Sequence, residues 1–124
     1  AADIANFSKN VFIIMKHESR KVVEKLDYLT SVGCYKGGQT RTEKGIPATA
    51  GVTVFTNLCI MSTGEESGRL DLRSLHPGVT LETLKENTGF DLIIPPDYEI
   101  TPEPDPEYLR ILREVIDPRK IYIK

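Results

Sequence analysis

The chain has 124 residues, 27% of them charged, with 16 Lys and Arg against 18 Asp and Glu and a formal net charge of −2. That length suits one domain able to bury a core, and the charge balance supplies no basic surface of the kind that binds nucleic acid. Apolar runs stop at five or six residues, far short of a membrane span.

Asp3 to Lys9 predicts one or two helical turns, with Asp3 as cap or first-turn acid and Ile4 and Phe7 on one face. The start at Ala1-Ala2-Asp3 lacks a basic, then apolar, leader, so no secretory signal is expected. Val11 to Met15 is a continuous apolar run, which predicts a central strand buried on both faces. His17-Glu18-Ser19-Arg20 follows at the strand exit, where open α/β sheets bind ligands, and can orient a carboxylate or a phosphate; a surface loop of paired charges is the competing reading. Lys21 to Lys25 predicts a short amphipathic turn with Val22 and Val23 inward, and Tyr28-Leu29 a further short strand.

Thr30 to Ala50 contains Gly33, Gly37, Gly38 and Gly45 and no sustained period. Such a long loop is either functional or a mobile surface excursion, and Gly37-Gly38 can offer backbone amides to a phosphate or to pantetheine. Neither a dinucleotide-binding nor a Walker pattern is present. Val52 to Thr56 alternates, Leu58 to Met61 continues it, Gly64 to Gly68 is a polar turn, and Arg69 to Arg73 alternates again, predicting a hairpin.

His76-Pro77-Gly78 is a turn, Thr80 a helix N-cap, Gly89 a helix stop, and Phe90 to Ile94 a strand, together a βαβ-type connector. His76 has no acid spaced to tune it and reads as scaffold. Residues 95–106 form a proline-rich tether, and Asp105-Pro106-Glu107 opens a helix over 106–117 with Leu109, Leu112 and Ile116 on one face. Ile121 to Ile123 either adds a strand or packs on a partner.

The expected fold class is α/β, one domain over 1–124 with an open, mainly parallel or mixed sheet flanked by helices. Cys34 and Cys59 are isolated thiols, which points to a reducing, cytoplasmic setting, and with His17 and His76 they are too scattered to ligate a metal. Cys59, between Leu58 and Ile60, reads as a core residue rather than a nucleophile. No self-contained catalytic set is visible.

Taken together, Ile13-Ile14-Met15-Lys16-His17-Glu18-Ser19-Arg20, Lys25-Leu26-Asp27-Tyr28-Leu29-Thr30-Ser31, Thr56-Asn57-Leu58, His76 to Thr80 and Glu86 to Leu92 resemble one family. The pattern is similar to the C-terminal half of the B subunit of family I coenzyme A transferases, glutaconate CoA-transferase in particular, along essentially the whole chain. The resemblance implies an open α/β fold and transfer of CoA between acyl-CoA and a carboxylic acid through a glutamyl-CoA intermediate. The glutamate would lie upstream, so the chain alone is expected to be inactive. The implied protein partners are the N-terminal half of the same B subunit, and a separate A subunit. Acyl-CoA and a carboxylic acid are the implied substrates, with no permanently bound cofactor.

Ala1 and Ala2 would border the oxyanion loop; Ser31 and Gly33 would approach the acyl group, and His17 and Glu18 would shape the crevice. Two alternatives stand beside this one: a related ring-opening CoA-thioester hydrolase, and a free-standing interaction domain that self-associates through exposed strand edges.

Overall fold

Why the apolar runs of this chain become strands, and where they stop, is set by turn chemistry. The computed structural model describes residues 2–34, 36–37, 39–47, 51–64 and 67–122. After helix α1 (Ala2–Phe7) come strand β1 (Val11–Ile14), helix α2 (Thr40–Glu43), and strands β2 (Val52–Phe55), β3 (Cys59–Thr63) and β4 (Leu70–Leu75). Helix α3 (Leu81–Glu86), strand β5 (Glu99–Ile100) and helix α4 (Pro106–Ile111) complete the order, and α4 runs on into a π-helical turn over Leu112–Ile116. The sheet order is β1-β2-β3-β4-β5. β1 and β2 are parallel, β2 to β4 antiparallel, and β5 parallel to β4, so the sheet is mixed.

The core lies under α3: Val54, Cys59, Met61, Leu72, Leu75, Leu84 and Leu92 form one buried cluster. Alternation along β2 to β4 turns these residues to one side, and the β3–β4 register shifts at Ile60/Met61, as a bulge requires. Thr80 caps α3 by accepting from the Thr83 amide at 3.2 Å. Asp105 caps α4 by accepting from the Glu107 amide at 2.7 Å, with Pro106 at the first helical position.

Several expectations change. β1 is an edge strand rather than a central one: Phe12 is 69% exposed and Ile14 87%. Its apolar character is real, but nothing in the described residues covers it. The stretch from Val52 to Met61 is two strands, because the Thr56 hydroxyl accepts from the Leu58 and Cys59 amides at 3.1 and 3.0 Å and folds the chain back. Tyr28-Leu29 is loop. Phe90 to Ile94 makes only a single parallel bridge, Asp71 to Ile93, and the strand beyond α3 is instead β5, inside the proline-rich segment.

Gly89 is not a left-handed helix stop, and Asn87 closes α3. Gly89 is needed for contact: a Cβ there would stand 2.7 Å from the Val22 carbonyl oxygen, to which its amide donates at 2.6 Å. Ile121 and Tyr122 are not in a strand, and Ile123 lies outside the described residues.

Candidate functional site

The parallel strand β1 ends at Ile14, and Met15 still donates to the Phe55 carbonyl at 3.0 Å, which carries the chain straight to His17. There the backbone is anchored. The His17 amide donates to Asn57 Oδ1 at 2.8 Å, and the residue is only 3% exposed. Nε2 lies 3.0 Å from Thr88 Oγ1 and Nδ1 lies 3.2 Å from Thr56 Oγ1. The Thr88 hydroxyl donates to the Leu84 carbonyl at 2.8 Å and the Thr56 hydroxyl to the Cys59 carbonyl at 3.0 Å, so each ring nitrogen faces a hydroxyl oxygen whose proton is engaged elsewhere. Burial holds the imidazole below its ordinary pKa, in keeping with a neutral ring.

Cys59 Sγ stands 3.8 Å from Nδ1, but burial pushes the thiol pKa up, opposite to what a thiolate nucleophile needs. This group is a knot between the β1 exit, the β2–β3 turn and the end of α3.

Glu18 faces outward and collects three cations: Lys16 Nζ at 3.0 Å, Arg20 Nε at 2.9 Å and Lys21 Nζ at 3.4 Å. Hydrogen bonds from Lys16 and Arg20 lower its carboxyl to about 2. One carboxylate against three cations leaves positive charge in surplus at the exit of the parallel pair, on a turn closed by the Lys21 and Val22 amides donating to the Glu18 carbonyl at 2.8 and 3.0 Å. Such a patch can orient a carboxylate or a phosphate.

A second group forms at α1. Asn6 Oδ1 accepts from the Val32 amide at 3.3 Å, so the helix that carries Ala2 stands against the Ser31–Gly33 stretch. Ala2 and Ser31 are half-buried and Gly33, at φ +56°, is exposed; Ala1 lies outside the described residues. Among the described residues, no hydrogen bond or ion pair joins this group to the His17–Glu18 group.

The loop that holds Ser31 and Gly33 is more tightly fastened than its composition suggests. Arg41, 5% exposed, donates to the Asn6, Gly33 and Pro47 carbonyls. Gly68 comes so close that a Cβ on it would stand 2.7 Å from the Gly37 nitrogen. The Gly37 amide is spent on the Cys34 carbonyl at 2.9 Å and is not presented to a phosphate; Gly38 lies outside the described residues. Local pattern does not single out Arg41, Asn57 or Thr88, nor Lys16 and Lys21 as partners of Glu18; Arg20 is the cation it places there.

His76 belongs to the scaffold. Its Nε2 meets the Thr56 carbonyl at 2.9 Å and its Nδ1 meets Thr101 Oγ1 at 2.8 Å, tying the turn before α3 to the β2–β3 turn and to the residue after β5. His76→Gln keeps one of these contacts at most. It should cost about 1 kcal/mol in a urea titration; an unchanged urea midpoint would take His76 out of the scaffold.

Among the described residues no three His, Cys, Asp or Glu side chains converge as a metal site would need, and no helix is long and apolar enough to cross a membrane.

The fold is a mixed open α/β sheet with a cation-rich strand exit and a fastened glycine-containing loop, and comparison with known proteins narrows the class. A coenzyme A transferase profile matches residues 1–87, and the chain belongs to that family. It is 40% identical over 113 residues to the B subunit of 3-oxoadipate CoA-transferase from Pseudomonas knackmussii, covering 91% of this chain and 44% of the relative. It is 37% identical over 125 residues to the B subunit of glutaconate CoA-transferase from Acidaminococcus fermentans, covering 100% of this chain and 46% of the relative.

The crystal structure of the Acidaminococcus glutaconate coenzyme A-transferase superposes with a TM-score of 0.87 at 36% identity, over 100% of this chain and 47% of that one. A cholesterol ring-cleaving hydrolase subunit from Rhodococcus jostii matches at 40% over 68 residues, 55% of this chain and 27% of the relative. The chain spans about half the length of the curated relatives it matches.

Proposed function

We propose that this chain is the C-terminal half of the B subunit of a coenzyme A transferase. The whole enzyme moves CoA between an acyl-CoA and a carboxylic acid through a glutamyl-CoA intermediate whose glutamate lies outside this chain. The observation that carries the reading is the match of the entire chain to the B subunit of glutaconate CoA-transferase, in sequence and in fold. The hydrolase reading has a shorter sequence match and a weaker structural one behind it, and the free-standing interaction domain has none.

In this reading the chain supplies architecture and binding surface. The rest of the B subunit covers the bare apolar faces of β1, where Phe12, Ile13 and Ile14 are exposed, and the A subunit completes the site. Ala1 and Ala2 border the oxyanion loop, and Ser31 and Gly33 stand near the acyl group. Coenzyme A thioester is a substrate and not a resident cofactor. The Lys16, Arg20 and Lys21 cations around Glu18 attract its phosphates. His17 shapes the crevice by pinning the backbone beneath them.

The test is reconstitution of the full B subunit with its A partner, assayed for transfer of CoA from acetyl-CoA to a dicarboxylate. The complex should transfer and form a hydroxylamine-sensitive enzyme thioester, and this chain alone should do neither. Release of free CoA and acid without transfer would make the complex a hydrolase. Exchanging both Arg20 and Lys21 for Glu should raise KM for acyl-CoA about tenfold, since one lost charge-assisted contact is worth about 1.4 kcal/mol or more. An unchanged KM would remove the patch from the site.

A further inference from the structure

Arg41 sits in a segment that carries no hydrophobic period, yet it is among the most enclosed polar side chains of the molecule. No carboxylate pairs with it among the described residues. Among the described residues its guanidinium is held by backbone: Nε donates to the Pro47 carbonyl at 3.0 Å, and the two terminal nitrogens donate to the carbonyls of Gly33 and Asn6. Those three carbonyls belong to the far side of the loop, the start of the loop, and the last turn of α1. A planar fork with fixed donor directions can hold three such groups at once, and a lysine ammonium would hold them with far less definition.

Two neighbours reinforce the arrangement. Asn6 accepts from the Val32 amide at 3.3 Å, one residue from the Gly33 carbonyl that Arg41 grips. Gly33 itself turns at φ +56° with no atom within 4 Å of a Cβ position, so its bend faces open space and is set by these hydrogen bonds rather than by packing. Take away the guanidinium and, among the described residues, the Ser31–Gly33 stretch keeps the Val32–Asn6 hydrogen bond to α1.

We propose that Arg41 is a positioning residue for acyl transfer: it fastens the Ser31–Gly33 stretch to α1 and fixes where that stretch stands when the acyl group arrives. The proposal rests on the CoA-transferase reading above. Group transfer is steep in position, and a displacement of about 1 Å costs on the order of a hundredfold in rate. The cost falls on kcat, because the Lys16, Arg20 and Lys21 cations that would meet the phosphates are elsewhere in the chain.

The experiment has two arms. In the assembled enzyme, amide hydrogen exchange at Val32 should speed up at least tenfold in Arg41→Ala while β3 and β4 stay protected, and Arg41→Lys should fall between. In the same complex, Arg41→Ala should lower kcat about 10- to 100-fold, change KM for acyl-CoA less than threefold, and recover part of its kcat when guanidinium ion is added. Unchanged Val32 exchange overturns the fastening. Rescue of Val32 protection by guanidinium without rescue of kcat overturns the positioning role and leaves Arg41 merely structural. A wild-type complex that transfers no CoA overturns the transferase reading itself, and that result is seen before any variant is made.

Discussion

Replacing Leu84 with alanine is expected to lower the unfolding free energy of this chain by about 3 kcal/mol, within the range for a fully enclosed leucine. Leu84 has no exposed surface and is the buried residue of α3. The helix is six residues long, too short to be stable by itself, so its place depends on what that side chain packs against. Met61, Leu72 and Cys59, equally enclosed, are the other members of the cluster that a cavity there would disturb.

A second consequence sharpens the test. The Leu84 carbonyl holds the Thr88 hydroxyl, and Thr88 holds His17, so loosening α3 also loosens the β1 exit. Urea titration of the isolated chain should show the midpoint falling without a large change in slope. A loss below about 1 kcal/mol would mean that α3 repacks, and that the core is centred elsewhere.

His17→Leu is expected to cost about 2 kcal/mol at neutral pH and to remove part of the acid sensitivity of the fold. The substitution strands the Thr88 oxygen, while the Thr56 hydroxyl keeps the Leu58 and Cys59 amides. The pH dependence follows from the direction of the shift. Folding holds the His17 imidazole below its ordinary value of 6.5, so between the two values the unfolded chain binds the extra proton and the folded chain does not. The stabilisation is therefore complete above about 6.5 and is lost as the pH falls below it.

Glu18 adds a separate, more acid leg. Its carboxyl is lowered from 4.5 to about 2 by Lys16 and Arg20, so its contribution is present above 4.5 and lost as the pH falls toward 2. Urea midpoints measured at intervals from pH 7.5 to 3 should show both declines in the wild type and only the lower one in His17→Leu. Identical slopes between pH 6.5 and 4.5 in the two proteins would take His17 out of the account.

What could be read from the sequence was what neighbours along the chain determine. Thr80 before Leu81, and Asp105-Pro106 before Glu107, are caps whose partners lie two or three residues away, and both form as expected. The strand character of Val11 to Ile14 was legible for the same reason. Its environment was not, because an apolar run looks alike whether its cover lies inside the chain or on another one.

The fold-back at Thr56 was hidden because a threonine hydroxyl serving two amides leaves no mark in the alternation of side chains. That charge gathers at the strand exit was legible from His17-Glu18-Ser19-Arg20. The enclosure of its histidine was not, since the groups that meet the ring are 39 and 71 residues distant. Arg41 was missed for a physical reason as well: a cation satisfied by backbone carbonyls has no acidic partner to betray it.

The two edges of the sheet differ in how far each can be extended. β5 pairs through only two residues, Glu99 and Ile100, and prolines at 95, 96, 102 and 104 flank it, so that margin cannot template a further strand. β1, at the other margin, is open and apolar on both sides. Among the described residues, β1 is therefore the margin at which a strand from outside this chain can extend the sheet.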